Sequence, residues 1–224
     1  LTMAKAYSDA GADELVLLDI TATHERRETA RVLAEQVSRA ISIPFAIGGG
    51  VTSADDFRQI LLAGADKVAI NSAAVKNPDL ISECADRFGS QAMVVAIDAK
   101  KVFGEKQWEV FVSGGRTPTG KDAVVWAQEA EARGAGEILL TSMDRDGTKV
   151  GCDLDLLNAV CAAVSIPVIA SGGIGSKEHV LEVFQQTPVT GALAASVFHF
   201  GQIAIPDLKQ YLADSGVSVR RAQA

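Results

Sequence analysis

Gly11-Ala12-Asp13-Glu14-Leu15-Val16 returns, lightly altered, as Gly134-Ala135-Gly136-Glu137-Ile138-Leu139. Ser42-Ile43-Pro44 returns as Ser165-Ile166-Pro167, and Gly49-Gly50 as Gly172-Gly173. Each second copy lies 123 positions downstream of the first (11 to 134, 42 to 165, 49 to 172). A repeat of this length, built from strands and helices, indicates a duplicated half-domain. The offset also predicts something about the start. The run ending in Ile97-Asp98 should have a counterpart that falls before residue 1. The chain therefore reads as a two-fold repeat without its first strand, and Asp98 as one half of a catalytic pair.

Outward from these motifs, short apolar runs alternate with helical segments. The predicted strands are 14–20, 44–48, 67–71, 92–98, 137–143, 167–171 and 191–196. They are continuously apolar rather than alternating, the pattern of parallel strands buried on both faces. Helices are predicted near 2–9, 25–40, 54–63, 78–88, 120–133, 153–163, 177–186 and 206–214. Ser53 and Ser176 precede acidic first turns and read as N-caps, as does Asn77 before Pro78. Gly11, Gly64 and Gly134 read as helix C-termini. Regular βα alternation with a half-chain duplication predicts α/β architecture, a (βα)8 barrel made of two (βα)4 repeats. No Gly/Pro/Ser-rich linker divides the chain, so 1–224 reads as one barrel domain. The segment 100–118, with Trp108-Glu109-Val110-Phe111-Val112 alternating, predicts a small projecting hairpin.

Composition narrows the function. A net charge of −7 argues against a general nucleic-acid surface. The longest apolar runs fall short of the ~18 residues of a membrane span. The three cysteines, Cys84, Cys152 and Cys161, lack metal-ligand spacing and fit free thiols in a reducing, cytoplasmic compartment. With three histidines as well, no metal or cofactor is expected.

In such barrels chemistry sits at the C-terminal strand ends. Gly172-Gly173 ends one strand there, and Ala195-Ser196 ends the next, just ahead of a short helical segment. Glycine lets backbone amides approach an anion, and a helix start adds donors. The duplication supplies a matched set, Gly49-Gly50 and Asn71-Ser72. Either the glycines only permit tight turns, or the two sets are phosphate cradles on opposite sides of the mouth. The second reading implies a ligand with a phosphate at each end.

Asp98 ends a buried strand at the same mouth. It reads as a general acid or base, against the alternative of a capping or salt-bridged aspartate. Asp19, Thr141 and Asp146 lie at or beyond strand ends as candidate contacts to sugar hydroxyls, although Asp146-Gly147 also suits a plain turn. At the opposite strand ends, Glu14, Lys67 and Glu137 form either a stabilising salt-bridge layer or a polar gate on an axial passage.

Leu17-Leu18-Asp19-Ile20, Gly48-Gly49-Gly50, Ala96-Ile97-Asp98-Ala99-Lys100, Asp144-Arg145-Asp146-Gly147-Thr148, Ala170-Ser171-Gly172-Gly173 and Ala195-Ser196-Val197-Phe198-His199-Phe200 resemble the cyclase subunit of imidazole glycerol phosphate synthase, from histidine biosynthesis. The resemblance covers essentially the whole chain. It implies an ammonia-dependent lyase acting on a bis-phosphorylated ribulosyl aminoimidazole carboxamide nucleotide. Ammonia would come from a glutamine amidotransferase subunit docked on the N-terminal face, where Glu14, Lys67 and Glu137 match the gate. Asp98 matches one of two catalytic aspartates, and the other belongs to the strand absent from this sequence. That absence predicts severely reduced turnover for a 224-residue form. Two alternatives stay open, the related phosphoribosyl isomerase and a non-catalytic barrel that binds phosphates or the glutaminase.

Overall fold

The computed structural model describes residues 1–18, 24–102 and 106–220. Its elements run α1 (Thr2–Asp9), β1 (Leu15–Leu18), α2 (His24–Ser38), β2 (Phe45–Gly48), α3 (Ala54–Leu62), β3 (Lys67–Ile70), α4 (Ser72–Lys76), α5 (Asp79–Phe88), β4 (Met93–Lys101), β5 (Trp108–Val112), β6 (Thr117–Asp122), α6 (Ala123–Ala132), β7 (Glu137–Ser142), α7 (Leu154–Ala163), β8 (Val168–Ser171), α8 (Lys177–Gln186), β9 (Gly191–Leu193), α9 (Ser196–His199) and α10 (Ile205–Asp214). The parallel strands pair in the order β1-β2-β3-β4-β7-β8-β9, and β5–β6 is an antiparallel hairpin attached to β4.

Strand parity builds two cores. On β4, Met93, Val95, Ile97 and Ala99 face the helices and join the large core. Val94 and Ala96 face the other way and meet Ala69, Leu139, Val16, Ile169 and Leu193 in a second, smaller cluster. Val16 belongs to β1 and Leu193 to β9, the two ends of the strand order. They can share one interior only if the sheet curls into a barrel. Contacts outside the sheet agree. Lys209 of α10 reaches Asp13, just before β1, at 2.7 Å, and Tyr7 of α1 meets His199 of α9 at 3.4 Å. Among the described residues β1 pairs only with β2 and β9 only with β8, so no ladder joins β1 to β9.

Helix ends follow local chemistry. Ser53 and Asp56 form a reciprocal capping box at α3. Ser176 accepts from the His179 amide at α8. Asn77 corrects an expectation: it is the C-cap of α4, and Pro78, not Asn77, is the N-cap of α5, with no side-chain bond. The reason is the short α4, which lies immediately before and uses Asn77 for its own ending. The outer core is tight. Phe57 is fully buried and stacks on Phe88 with centroids 5.4 Å apart, so Phe57→Ala should cost about 3–5 kcal/mol. No helix among the described residues is long and apolar enough to cross a membrane.

Candidate active site at the barrel mouth

The inward parity that places Val94 and Ala96 inside the barrel also carries Asp98, two residues further towards the mouth. Thr141 follows Leu139 in the same way, and its strand pairs with Asp98 in register. Asn71 sits one residue past β3 and donates from Nδ2 to Asp98 Oδ2 at 2.9 Å. Three layers therefore stack along the axis: charges at the base, aliphatic residues in the middle, and Asn71, Asp98 and Thr141 at the mouth.

Burial pushes the Asp98 carboxyl above the ordinary aspartate value, and the negative charge of Asp146 pushes the same way. The Asn71 bond opposes them and does not win. A carboxyl whose one side-chain partner is a neutral amide can carry a proton closer to neutrality than an ion-paired one. The alternative of a salt-bridged or capping aspartate finds no such partner here: the salt bridges and side-chain caps among the described residues do not include Asp98. Asn71 Oδ1 is buried without a protein partner, leaving an acceptor at the mouth.

The two glycine-rich sets end β2 and β8 at this same end, with Asn71-Ser72 after β3 and Ala195-Ser196 before α9. Gly172 and Gly173 hold φ of +94° and +95°. A Cβ on Gly172 would lie 2.7 Å from the Ser142 carbonyl oxygen, and one on Gly173 only 2.1 Å from that of Gly151. The tight-turn role of this pair is therefore real: the β7–α7 loop leans directly on it, and Gly151 N–H donates to the Gly173 carbonyl at 2.8 Å. That role fixes the loop bearing Asp146 and is compatible with amides facing a ligand. Asp19 lies outside the described residues.

At the base, Lys67 Nζ donates to Glu14 Oε2 at 2.8 Å and to Glu137 Oε2 at 2.9 Å. The Lys67, Glu14 and Glu137 side chains are 21 %, 28 % and 15 % exposed, so the triad is largely withdrawn from solvent. Burial alone would lower the Lys67 value, yet hydrogen bonds to both glutamates carry it above the usual lysine range. Glu137 is raised by its burial despite Lys67, with Glu14 adding repulsion. Two carboxylates share one cation here. The lysine gains from both, and each glutamate also meets the other.

The hairpin contributes contacts that sequence reasoning missed. The Ser113 amide donates to Ser72 Oγ at 2.9 Å, and at the end of β4, beside the hairpin, the Lys101 N–H donates to Asp144 Oδ2 at 2.7 Å. Trp108 Nε1 pins the hairpin base to Asp153 at 3.0 Å. The Ser113-Gly114-Gly115-Arg116 turn, with a cation beside two glycines, was the available signal.

A family model described as histidine biosynthesis protein matches residues 1–204. The chain belongs to that family. It is 56% identical over 217 residues to the imidazole glycerol phosphate synthase subunit HisF of Streptococcus mutans, covering 97% of this chain and 86% of the relative. It is 57% identical over 221 residues to the HisF subunit of Gluconacetobacter diazotrophicus, covering 99% and 85%. The HisF subunit of Bacillus cereus is 56% identical over 218 residues, covering 97% and 86%. These matches support the cyclase family that the motifs resemble, and each relative is named as a subunit of a larger enzyme.

Proposed function

We propose that this histidine-biosynthesis protein, as one barrel domain over 1–224, is the cyclase subunit of imidazole glycerol phosphate synthase. Its reaction takes a ribulosyl aminoimidazole carboxamide nucleotide with a phosphate at each end. Ammonia is added, the imidazole ring closes, and imidazole glycerol phosphate and aminoimidazole carboxamide ribotide separate. The observation that carries this reading is Asp98: an inward carboxyl of raised pKa at a mouth flanked by two duplicated Gly/Ser sets.

The chemistry asks for proton transfer at several points. Ammonia adding to a carbonyl must lose protons, the departing oxygen must gain one as water leaves, and elimination removes a carbon-bound proton. These transfers call for both an acid and a base, and Asp98 is one member of that pair. Asn71 holds Asp98 by one oxygen and leaves the other to face the substrate. Gly49, Gly50, Asn71 and Ser72 hold one phosphate; Gly172, Gly173, Ala195 and Ser196 hold the other. Thr141 and Asp146 take the hydroxyls between. A two-ended grip holds the chain between the phosphates near Asp98, replacing lost orientational freedom with binding energy.

Lys67, Glu14 and Glu137 form the gate through which ammonia enters from a glutamine amidotransferase docked on the N-terminal face. A neutral molecule of that size passes when one Lys67 bond opens while the other holds. The test is turnover of the bis-phosphorylated nucleotide with ammonium salt, for the wild-type chain and for Asp98→Asn. Ring closure by the wild-type that is lost in Asp98→Asn, with substrate still bound, is expected. Equal turnover in both would remove Asp98 from the mechanism, and binding without turnover by the wild-type would favour a non-catalytic role.

A further inference from the structure

The turn joining β5 to β6 is largely exposed, yet it makes a direct contact with the first-half cradle. The Ser113 amide donates to Ser72 Oγ at 2.9 Å. Arg116 Nε donates to the Ser113 carbonyl at 2.7 Å, and the Arg116 amide donates to the Val112 carbonyl at 3.1 Å. On the other flank Gly115 abuts Met143, whose Cε would lie 2.8 Å from an added Cβ. Ser113 itself holds φ +58°, a left-handed conformation that a non-glycine residue keeps only when its surroundings hold it there.

The direction of these bonds matters for Ser72. A serine hydroxyl has one proton to donate and lone pairs that accept. The Ser113 N–H occupies an acceptor position on Ser72 Oγ, so the Ser72 proton is left to donate elsewhere. A phosphate offers acceptors only. The Ser113 contact thus turns Ser72 into the hydrogen-bond partner that a phosphate needs.

We propose that Arg116 is a positioning residue for one end of the substrate: by bracing the Ser113 carbonyl it fixes the Ser113 amide on Ser72 and aims the Ser72 hydroxyl at the first-half phosphate. This rests on the reading of Ser72 as a phosphate ligand. Among the described residues the second half has no equivalent brace: the β5–β6 hairpin is attached to β4 and reaches Ser72, and no hydrogen bond is made to Ser196 Oγ. Among the described residues, then, the hydroxyl of Ser72 is oriented by a neighbouring loop and that of Ser196 is not.

Steady-state kinetics with the bis-phosphorylated nucleotide and ammonium salt test this. Arg116→Ala should raise KM about tenfold, as expected for weakening one hydrogen bond to a charged group, with kcat within about twofold. Arg116→Lys, which keeps a donor for the Ser113 carbonyl, should restore most of the affinity. In the Ser72→Ala background, Arg116→Ala should add less than about twofold, since both act through one hydroxyl. An undiminished tenfold effect in that background, or a fall in kcat without a rise in KM, overturns the proposal. Calorimetric titration with inorganic phosphate runs the same cycle without turnover. A wild-type chain that never turns over would refute the cyclase reading alone, while the phosphate cycle would still decide the role of Arg116.

Discussion

At the base of the barrel Lys67 stands between Glu14 and Glu137; at the mouth Asp98 has the amide of Asn71 and the repulsion of Asp146. Both places withdraw carboxylates from water, which is costly for charge. The base meets that cost with a counter-charge. The mouth meets it only partly, with a neutral hydrogen bond, and the carboxyl pKa rises. The difference separates two jobs. A lysine shared by two acids keeps its charge to a higher pH than usual and suits a fixed barrier, although Glu137 beside it takes up a proton early. An underpaired carboxyl changes its state readily and suits proton transfer. The comparison can be broken or sharpened from either end.

The largest effect should come at the mouth. Asp98→Asn keeps the volume and the acceptor for Asn71 but removes the acid–base group, so ring closure should fall about 10²–10⁴-fold. The same substitution should raise Tm at pH 7. The sign follows from linkage: a carboxyl whose folded pKa lies above its unfolded value stabilises the fold below the unfolded pKa and loses that contribution as pH rises through the folded one. The neutral amide avoids the loss. The Tm gain should shrink as pH falls below the ordinary aspartate range. A drop in both activity and Tm would mean that Asp98 is a structural residue.

At the base the stability sign should reverse. Lys67→Met leaves Glu14 and Glu137 facing each other without a cation. Removing one partner of a buried pair costs about 3–5 kcal/mol, and partial exposure reduces this to roughly 2 kcal/mol here. The loss should ease at acid pH, where Glu137, with its raised pKa, takes up a proton early. Adding Glu14→Gln and Glu137→Gln to Lys67→Met should recover most of the stability. A Lys67→Met protein as stable as the parent in denaturant unfolding would show that the triad does not hold the base together.

Between these lie the two cradles. Ser72→Ala and Ser196→Ala should each weaken substrate binding, Ser72→Ala by about tenfold in KM and Ser196→Ala by less, because among the described residues only the Ser72 hydroxyl is oriented by a donor. Equal losses would restore the symmetry that the duplicated sequence suggests.

How much of this is legible in the sequence depends on the range of the interaction. The repeat exposes the alternation and the matched Gly/Ser sets because each motif is local and copied. The base triad can be named because its members begin strands, and strand starts share one end of a parallel sheet. Its geometry, one lysine shared between two acids, needs the curl of the barrel. Elements with a weak pattern escape. β6, Thr117–Asp122, pairs only with β5 and reads TPTGKD, so it carries no apolar alternation, and its last residues fall inside the helix expected over 120–133. The run at 191–196 gives only Gly191–Leu193 as strand, because Ser196 already begins α9. The bonds Asn71–Asp98 and Ser113–Ser72 join residues 27 and 41 positions apart, and no periodicity in the chain announces either.

The smallest expected effect is the most specific, because it has a sign in each direction. Asp146 and Asn71 act on Asp98 oppositely: a like charge disfavours the ionised carboxyl, and a donated hydrogen bond favours it. Asp146→Asn should therefore lower the Asp98 pKa, and Asn71→Ala should raise it. Both can be followed by 13C-carboxyl NMR titration of Asp98. Where Asp98 acts as a base, the acidic limb of kcat/KM should move to lower pH in Asp146→Asn and to higher pH in Asn71→Ala. Weaker substrate binding in either variant changes the height of that profile but not the direction in which its limb moves. A shift of the same sign in both variants would mean that general burial alone sets the carboxyl. The contrast between a paired base and a tuned mouth would then rest on depth, not on partners.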